Sequence, residues 1–215
     1  TLSKGSERLK SEYIFEDETE DKSHNYLRPT IEASLNKLLD VRESLSVLDL
    51  GCGNGSMIKR LGTAFPNCSF TGADPSSSAQ DHHGKSHPSN VSFIEWEEFS
   101  AETDLKFDLV ISIEVIEHVY LPREYMKLMK KCVKESGQVI ISTPYHGYFK
   151  NISLAVSGKL DNHFTALWDY GHIKFWSVRT LTKLLSEFGL TPINTVFCGR
   201  FYPLSKSVII IAGND

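Results

Sequence analysis

The chain has 215 residues, 40% hydrophobic, 23% charged and 11% aromatic, which is enough for one real hydrophobic core and excludes a wholly disordered chain. Its 23 Lys plus Arg stand against 27 Asp plus Glu, a formal charge of -4 that argues against a broad nucleic-acid footprint. No stretch approaches the roughly eighteen consecutive apolar residues of a membrane span.

The opening residues TLSKGSERLK carry no apolar signal core. Four cysteines, Cys52, Cys68, Cys132 and Cys198, have long, uneven gaps that match neither a zinc pattern nor a dense disulfide scaffold. The expectation is reduced, mostly buried thiols in a cytoplasmic protein. Residues 1–26 read as a polar arm with an acidic run from Glu16 to Asp21, either a solvated arm or a lid.

From Leu27 the pattern changes, and Ile31, Leu35, Leu38 and Leu39 follow helical spacing. Ser46 to Leu50 reads as a buried strand, followed by a turn punctuated by Gly51, Gly53 and Gly55. Met57, Ile58, Leu61 and Phe65 continue as a helix. Cys68 to Ala73 is a second strand ending at Asp74 and Pro75, and Val91 to Ile94 is a third. Between them lie a short helix and a polar loop in which His82, His83 and His87 are expected to face solvent.

Phe107 to Ile113 is a fourth strand. Pro122 suits the first turn of a helix that uses Tyr125, Leu128, Met129, Cys132 and Val133, closed by Gly137. Gln138 to Ser142 is a fifth strand. Residues 144–176 break the rhythm with many rings and no obvious long helix. Ser177 caps a helix built on Val178, Leu181, Leu184, Leu185 and Phe188, and two strands follow near Pro192–Phe197 and Ser205–Ile211. This alternation predicts an α/β fold, a mostly parallel sheet covered on both faces, in one domain over residues 27–215.

The glycine turn lies at a strand-to-helix crossing, where open α/β sheets bind ligands. Gly51 and Gly53 remove side-chain bulk where backbone meets ligand, and Gly55 allows close helix packing. Asp49 is placed to receive a cationic amino group and Asp74 to accept two ribose hydroxyls. A nicotinamide-binding turn would read G-x-G-x-x-G, but Ser56 stands at the third position, and no P-loop is present.

Val47 to Gly55 resembles motif I of the class I S-adenosylmethionine-dependent methyltransferases. Thr71 to Ser76 resembles their acidic second-strand motif, Phe107 to Val119 their fourth-strand motif, and Gly137 to Thr143 their fifth strand. The wording Glu114-Val115-Ile116-Glu117-His118-Val119 is similar to that of the UbiG-like and type 11/12 small-molecule methyltransferases. The resemblance implies a Rossmann-like sheet of seven strands, the last antiparallel. It implies S-adenosylmethionine as cofactor and S-adenosylhomocysteine as product.

Carried across, the resemblance sets Gly51 and Gly53 against the methionine part of the cofactor and Asp74 at the ribose, with Asp49, Cys52 and Pro75 as further cofactor-binding candidates. Trp96 and Glu97 fall at the adenine, Ile113 and Glu114 beside the methionyl portion, and Tyr26 and Arg28 over the cofactor carboxylate. Glu97 replaces the commoner Asp, and Trp96 stands where a small residue is usual.

Methyl transfer to a phenol or alcohol needs a base, and His118, His146 and His172 are the candidates, with less positional support for His163. Glu117 with His118 would bind a divalent ion if His146 or His172 converged on them; the expectation is a metal-free site. Residues 144–176 are expected to cover an acceptor pocket.

The function expected is methylation of a small molecule, at oxygen, by a monomer or homodimer with no nucleic-acid partner. The alternatives are a nucleotide-dependent oxidoreductase and a non-catalytic cofactor-binding regulator.

Overall fold

Apolar residues three and four apart wind one stripe of α1 (His24–Leu39) onto the sheet, and Leu27, Ile31, Leu35 and Leu38 are all buried. The computed structural model describes residues 22–214 except residues 85, 103 and 165. Residues 1–21 of the expected arm lie outside the described residues, and α1 starts at His24, ahead of the expected boundary at Leu27.

The elements then follow as β1 (Ser46–Leu50), α2 (Ser56–Ala64), β2 (Ser69–Ala73), α3 (Ser77–His83), β3 (Val91–Ile94), α4 (Trp96–Glu102) and β4 (Phe107–Ser112). Next come α5 (Pro122–Cys132), β5 (Val133–Pro144), α6 (Tyr148–Val156), α7 (Leu160–Phe164), α8 (Val178–Glu187), β6 (Thr191–Cys198) and β7 (Ser207–Gly213). The seven-stranded sheet has the order β3-β2-β1-β4-β5-β7-β6. The first five strands of that order pair in parallel, and β7 runs antiparallel to both β5 and β6. This is the expected fold.

Strand alternation supplies both faces of the core. Val47, Leu109, Ile111, Ile209 and Ile211 pack with α1 and α2; Leu48, Leu50, Val110, Ile210 and Ala212 pack with α5 and α8. Truncating one such residue, for example Leu109→Ala, would cost about 2–5 kcal/mol. Sequence-read caps hold the last helices in place. Pro122 occupies the first turn of α5, and Ser177 and Thr180 form a reciprocal capping box on α8.

The junction between α5 and β5 also differs from expectation. The helix ends at Cys132 rather than Gly137, and β5 begins at Val133. Val133 pairs with Phe107, and the Asn214 amide donates to the carbonyls of Val133 and Lys134, so this stretch finds its partners as extended chain. Within residues 144–176 the chain forms the nine-residue α6 and the shorter α7.

The sheet order places β1 between β2 and β4, so connections leave in opposite directions from neighbouring strand ends. The crevice at those carboxyl ends is where a ligand enters such a fold.

Candidate active site

The turn after β1 is held at both sides of that crevice. The amides of Gly51 and Cys52 donate to the Ala73 carbonyl at 2.8 and 3.3 Å, tying the turn to the end of β2. Gly51 has φ +83°, and a Cβ there would come 2.7 Å from Val115 Cγ2. The bulk excluded at Gly51 is thus the Val115 side chain of the loop after β4. Gly55 (φ +76°) begins α2, and its missing Cβ makes room for the Phe93 ring of β3 rather than for a helix.

Two acids flank the turn. Asp74 is buried, and its carboxylate accepts the Gly53 amide on one oxygen and the Ser76 amide on the other, each at 2.8 Å. The acid therefore shapes the turn and also closes the start of α3. Asp49 is also buried, and its Oδ1 has no hydrogen-bond partner among the described residues. Burial, then the nearby Asp74 charge, pushes the Asp49 carboxyl up to about 8. An acid so placed is completed by a cation. Cys52 is buried, and burial followed by Asp49 and Asp74 raises its thiol well above the ordinary range, so it acts as packing.

His82 and His83 are not solvent-facing. Both are buried on α3, whereas His87 is exposed. His83 stacks on Phe93 with ring centroids 4.0 Å apart and donates through Nε2 to the Gly53 carbonyl at 2.8 Å. Burial lowers its pKa, which keeps it a neutral donor.

At the expected adenine end, Glu97 lies exposed in the first turn of α4 and Trp96 is half-buried against Phe99. Pro75 is exposed beside Asp74. Ile113 is buried, and Glu114 takes φ +55°. Its amide donates to Ser142 Oγ, and its carboxylate accepts the hydroxyls of Ser142 at 2.9 Å and Ser207 at 3.2 Å. Tyr26 joins that network through its hydroxyl, 3.2 Å from Ser207 Oγ. Arg28 instead pairs with Glu32 on its own helix at 3.5 Å.

The histidines assemble into one cluster. His118 and His172 have ring centroids 4.9 Å apart, and His146 and His163 also lie 4.9 Å apart. Glu117 anchors the first pair, because its carbonyl accepts the amides of Ile173 and Lys174, both at 3.0 Å. His118 Nδ1 donates to the Tyr170 carbonyl at 2.9 Å, which fixes the ring against the loop before His172. Glu117, His118 and His172 each offer a ligand atom within 4.8 Å of the others, so the convergence that a cation would require is met. Burial first, then His118 and His163, lowers His172 to about 4; burial first, then His163, lowers His146 to about 4 as well. His146 Nε2 is buried without a partner among the described residues.

Several contributors were missed in the sequence. Ser142 and Ser207 read as strand residues, and Tyr125 reads as part of an apolar helix stripe. The Tyr125 hydroxyl in fact donates to the Leu50 carbonyl at 2.8 Å and lies 2.7 Å from Ser112 Oγ, bracing the ends of β1 and β4. His163 had the weakest positional support of the four and yet joins the cluster, its Nε2 lying 3.3 Å from His146 Nδ1.

Residues 23–195 match the family model described as a methyltransferase domain. The chain belongs to this methyltransferase-domain family. It is 29% identical over 164 residues to a ubiquinone biosynthesis O-methyltransferase of Dinoroseobacter shibae, covering 71% of this chain and 62% of that protein. It is 31% identical over 113 residues to (S)-coclaurine N-methyltransferase of Papaver somniferum, covering 49% of this chain and 31% of the relative. The chain thus spans less than two thirds of these relatives' own lengths. In structure it resembles the magnesium protoporphyrin IX methyltransferase of Synechocystis with bound SAH, at TM-score 0.62 and 18% identity, covering 88% and 84% of the two chains. That likeness is one of fold. No described helix is long and apolar enough to cross a membrane.

Proposed function

We propose that the chain is an S-adenosylmethionine-dependent methyltransferase that methylates a small molecule at oxygen. The observation that carries the reading is the partnerless Asp49 Oδ1 buried beside a glycine turn in a methyltransferase-domain chain. That oxygen suits a ligand ammonium. Asp74, which accepts the Gly53 and Ser76 amides at the mouth of the same turn, is the acid assigned to the ribose hydroxyls.

When bound, S-adenosylmethionine supplies a methyl group on a cationic sulfur. The chain's own residues then hold donor and acceptor in line, which supplies much of the rate. Val115 and Glu114 wall the crevice from the β4 side. His172 or His118 takes the acceptor's proton. A second reading gives Glu117, His118 and His172 to a divalent cation that would orient the acceptor oxygens.

The test is transfer of labelled methyl from S-adenosylmethionine to a panel of phenolic acceptors. Whichever of His172→Ala and His118→Ala removes the base should lower turnover by about 10²–10⁴-fold with S-adenosylhomocysteine affinity intact. Unchanged turnover in both variants overturns the histidine role. Loss of activity on chelation, restored by magnesium or manganese, favours the cation reading.

A further inference from the structure

Beyond the histidine cluster, toward the tip of β5 and the β6–β7 connection, lies a cavity of about 290 Å³. Three cations line it from three different parts of the chain: Lys150 on α6, Arg200 after β6 and Lys206 before β7. His163 and His172 form its inner wall, and Pro144 and Leu154 give it an apolar side. Among the described residues none of the lining side chains is acidic, in a chain whose total charge is -4.

The cations are not neutralised by one another's surroundings. Lys150 Nζ donates to the carbonyls of Tyr145 at 2.8 Å and Lys206 at 3.3 Å, which leaves one of its three donors. Burial, then repulsion from Arg200, lowers the Lys150 ammonium to about 8, while Glu114 pulls it the other way. The Glu114 carboxylate is itself engaged by Ser142 and Ser207. Lys206 Nζ lies over the Tyr26 ring at 5.2 Å. A half-buried lysine facing a second cation is an arrangement that an anion stabilises, because it removes the repulsion and supplies the missing acceptor.

We infer that this pocket receives a carboxylate or phosphate group of the methyl acceptor, so that the substrate class is a small anionic molecule held by Lys150, Arg200 and Lys206. The inference rests on the proposed methyltransferase reading and narrows its acceptor. It also gives the neighbouring imidazoles a role. The pocket opens beside His163 and His172, so an anionic group held there sets the acceptor next to the histidine cluster.

The test titrates phenyl phosphate, benzoate and phenol into the protein saturated with S-adenosylhomocysteine, and the same series into Arg200→Gln/Lys206→Gln. The two substituted residues are exposed, so the fold should be retained, which the thermal transition checks. At least one acid should bind tenfold or more tightly than phenol, and the double variant should lose that advantage. The two acids separate a phosphate guest from a carboxylate guest. Equal or absent binding of all three, or an advantage that persists in the double variant, overturns the inference. A separate S-adenosylhomocysteine titration reports the underlying reading. Anion preference without cofactor binding supports the anion pocket while sinking methyl transfer, and cofactor binding without anion preference overturns the pocket assignment alone.

Discussion

His83 donates through Nε2 to the carbonyl of Gly53 across 2.8 Å, joining the end of α3 to the centre of the glycine turn. The turn is therefore held from both sides, since the Gly53 amide donates in turn to Asp74. His83→Phe keeps a ring to stack on Phe93 and removes only the donor. It should lower stability by about 1–3 kcal/mol, the cost of leaving the buried Gly53 carbonyl without its imidazole donor, and weaken S-adenosylhomocysteine binding about 3–10-fold as the turn loosens. Equal affinity in a titration of the two proteins would remove His83 from the binding architecture.

Asp49 carries a pH dependence whose sign follows from its surroundings. Its folded carboxyl is raised from 3.8 to about 8 by burial and then by Asp74. The neutral acid therefore favours the folded, ligand-free protein at low pH, and that contribution is lost as pH rises through about 8. A ligand ammonium favours the carboxylate, so binding releases a proton below that range. Affinity for S-adenosylhomocysteine should climb between pH 6 and 8, by up to about tenfold per unit, and Asp49→Asn should flatten the slope. Calorimetry in buffers of different ionisation enthalpy counts the proton directly.

Asp108 makes the opposite case at the far end of the sheet. Burial works against its charge. The Ser46 hydroxyl and amide and the Lys134 ammonium outweigh that and hold the carboxyl at about 2. Its oxygens accept Ser46 Oγ at 2.6 Å, the Ser46 amide at 2.9 Å and Arg42 at 2.8 Å. Its stabilising contribution is present above the ordinary value of 3.8 and is lost as pH falls through about 2. Asp108→Asn should destabilise the fold by about 1–3 kcal/mol at neutral pH and leave cofactor affinity unchanged. Denaturant unfolding with a parallel ligand titration checks both halves.

The legible parts of this molecule are those encoded by local pattern. Gly51, Gly53 and Gly55 between a buried strand and a helix announce the crevice, and Asp49 and Asp74 sit where strand ends must place them. The alternation of strands and helices gives the sheet. His83 was misread because His82-His83-Gly84 looks like a polar loop, and it is Phe93 on β3 and the Gly53 carbonyl, both distant in sequence, that hold it inward. The basic pocket is invisible for the same reason: Lys150, Arg200 and Lys206 share no motif and meet only when β5, β6 and β7 pair. The length of β5 depends on Asn214, at the opposite end of the fold's chain order.

The central claim is that the crevice between Asp49 and Asp74 holds S-adenosylmethionine. Isothermal titration of the folded protein with S-adenosylhomocysteine, alongside NADH and the Asp74→Ala variant, tests it most directly. The account predicts saturable one-to-one binding of S-adenosylhomocysteine, none of NADH, and at least about tenfold weaker binding by the variant, which loses the acceptor for the ribose and the anchor of Gly53. No binding of S-adenosylhomocysteine, or binding of NADH in its place, would contradict it.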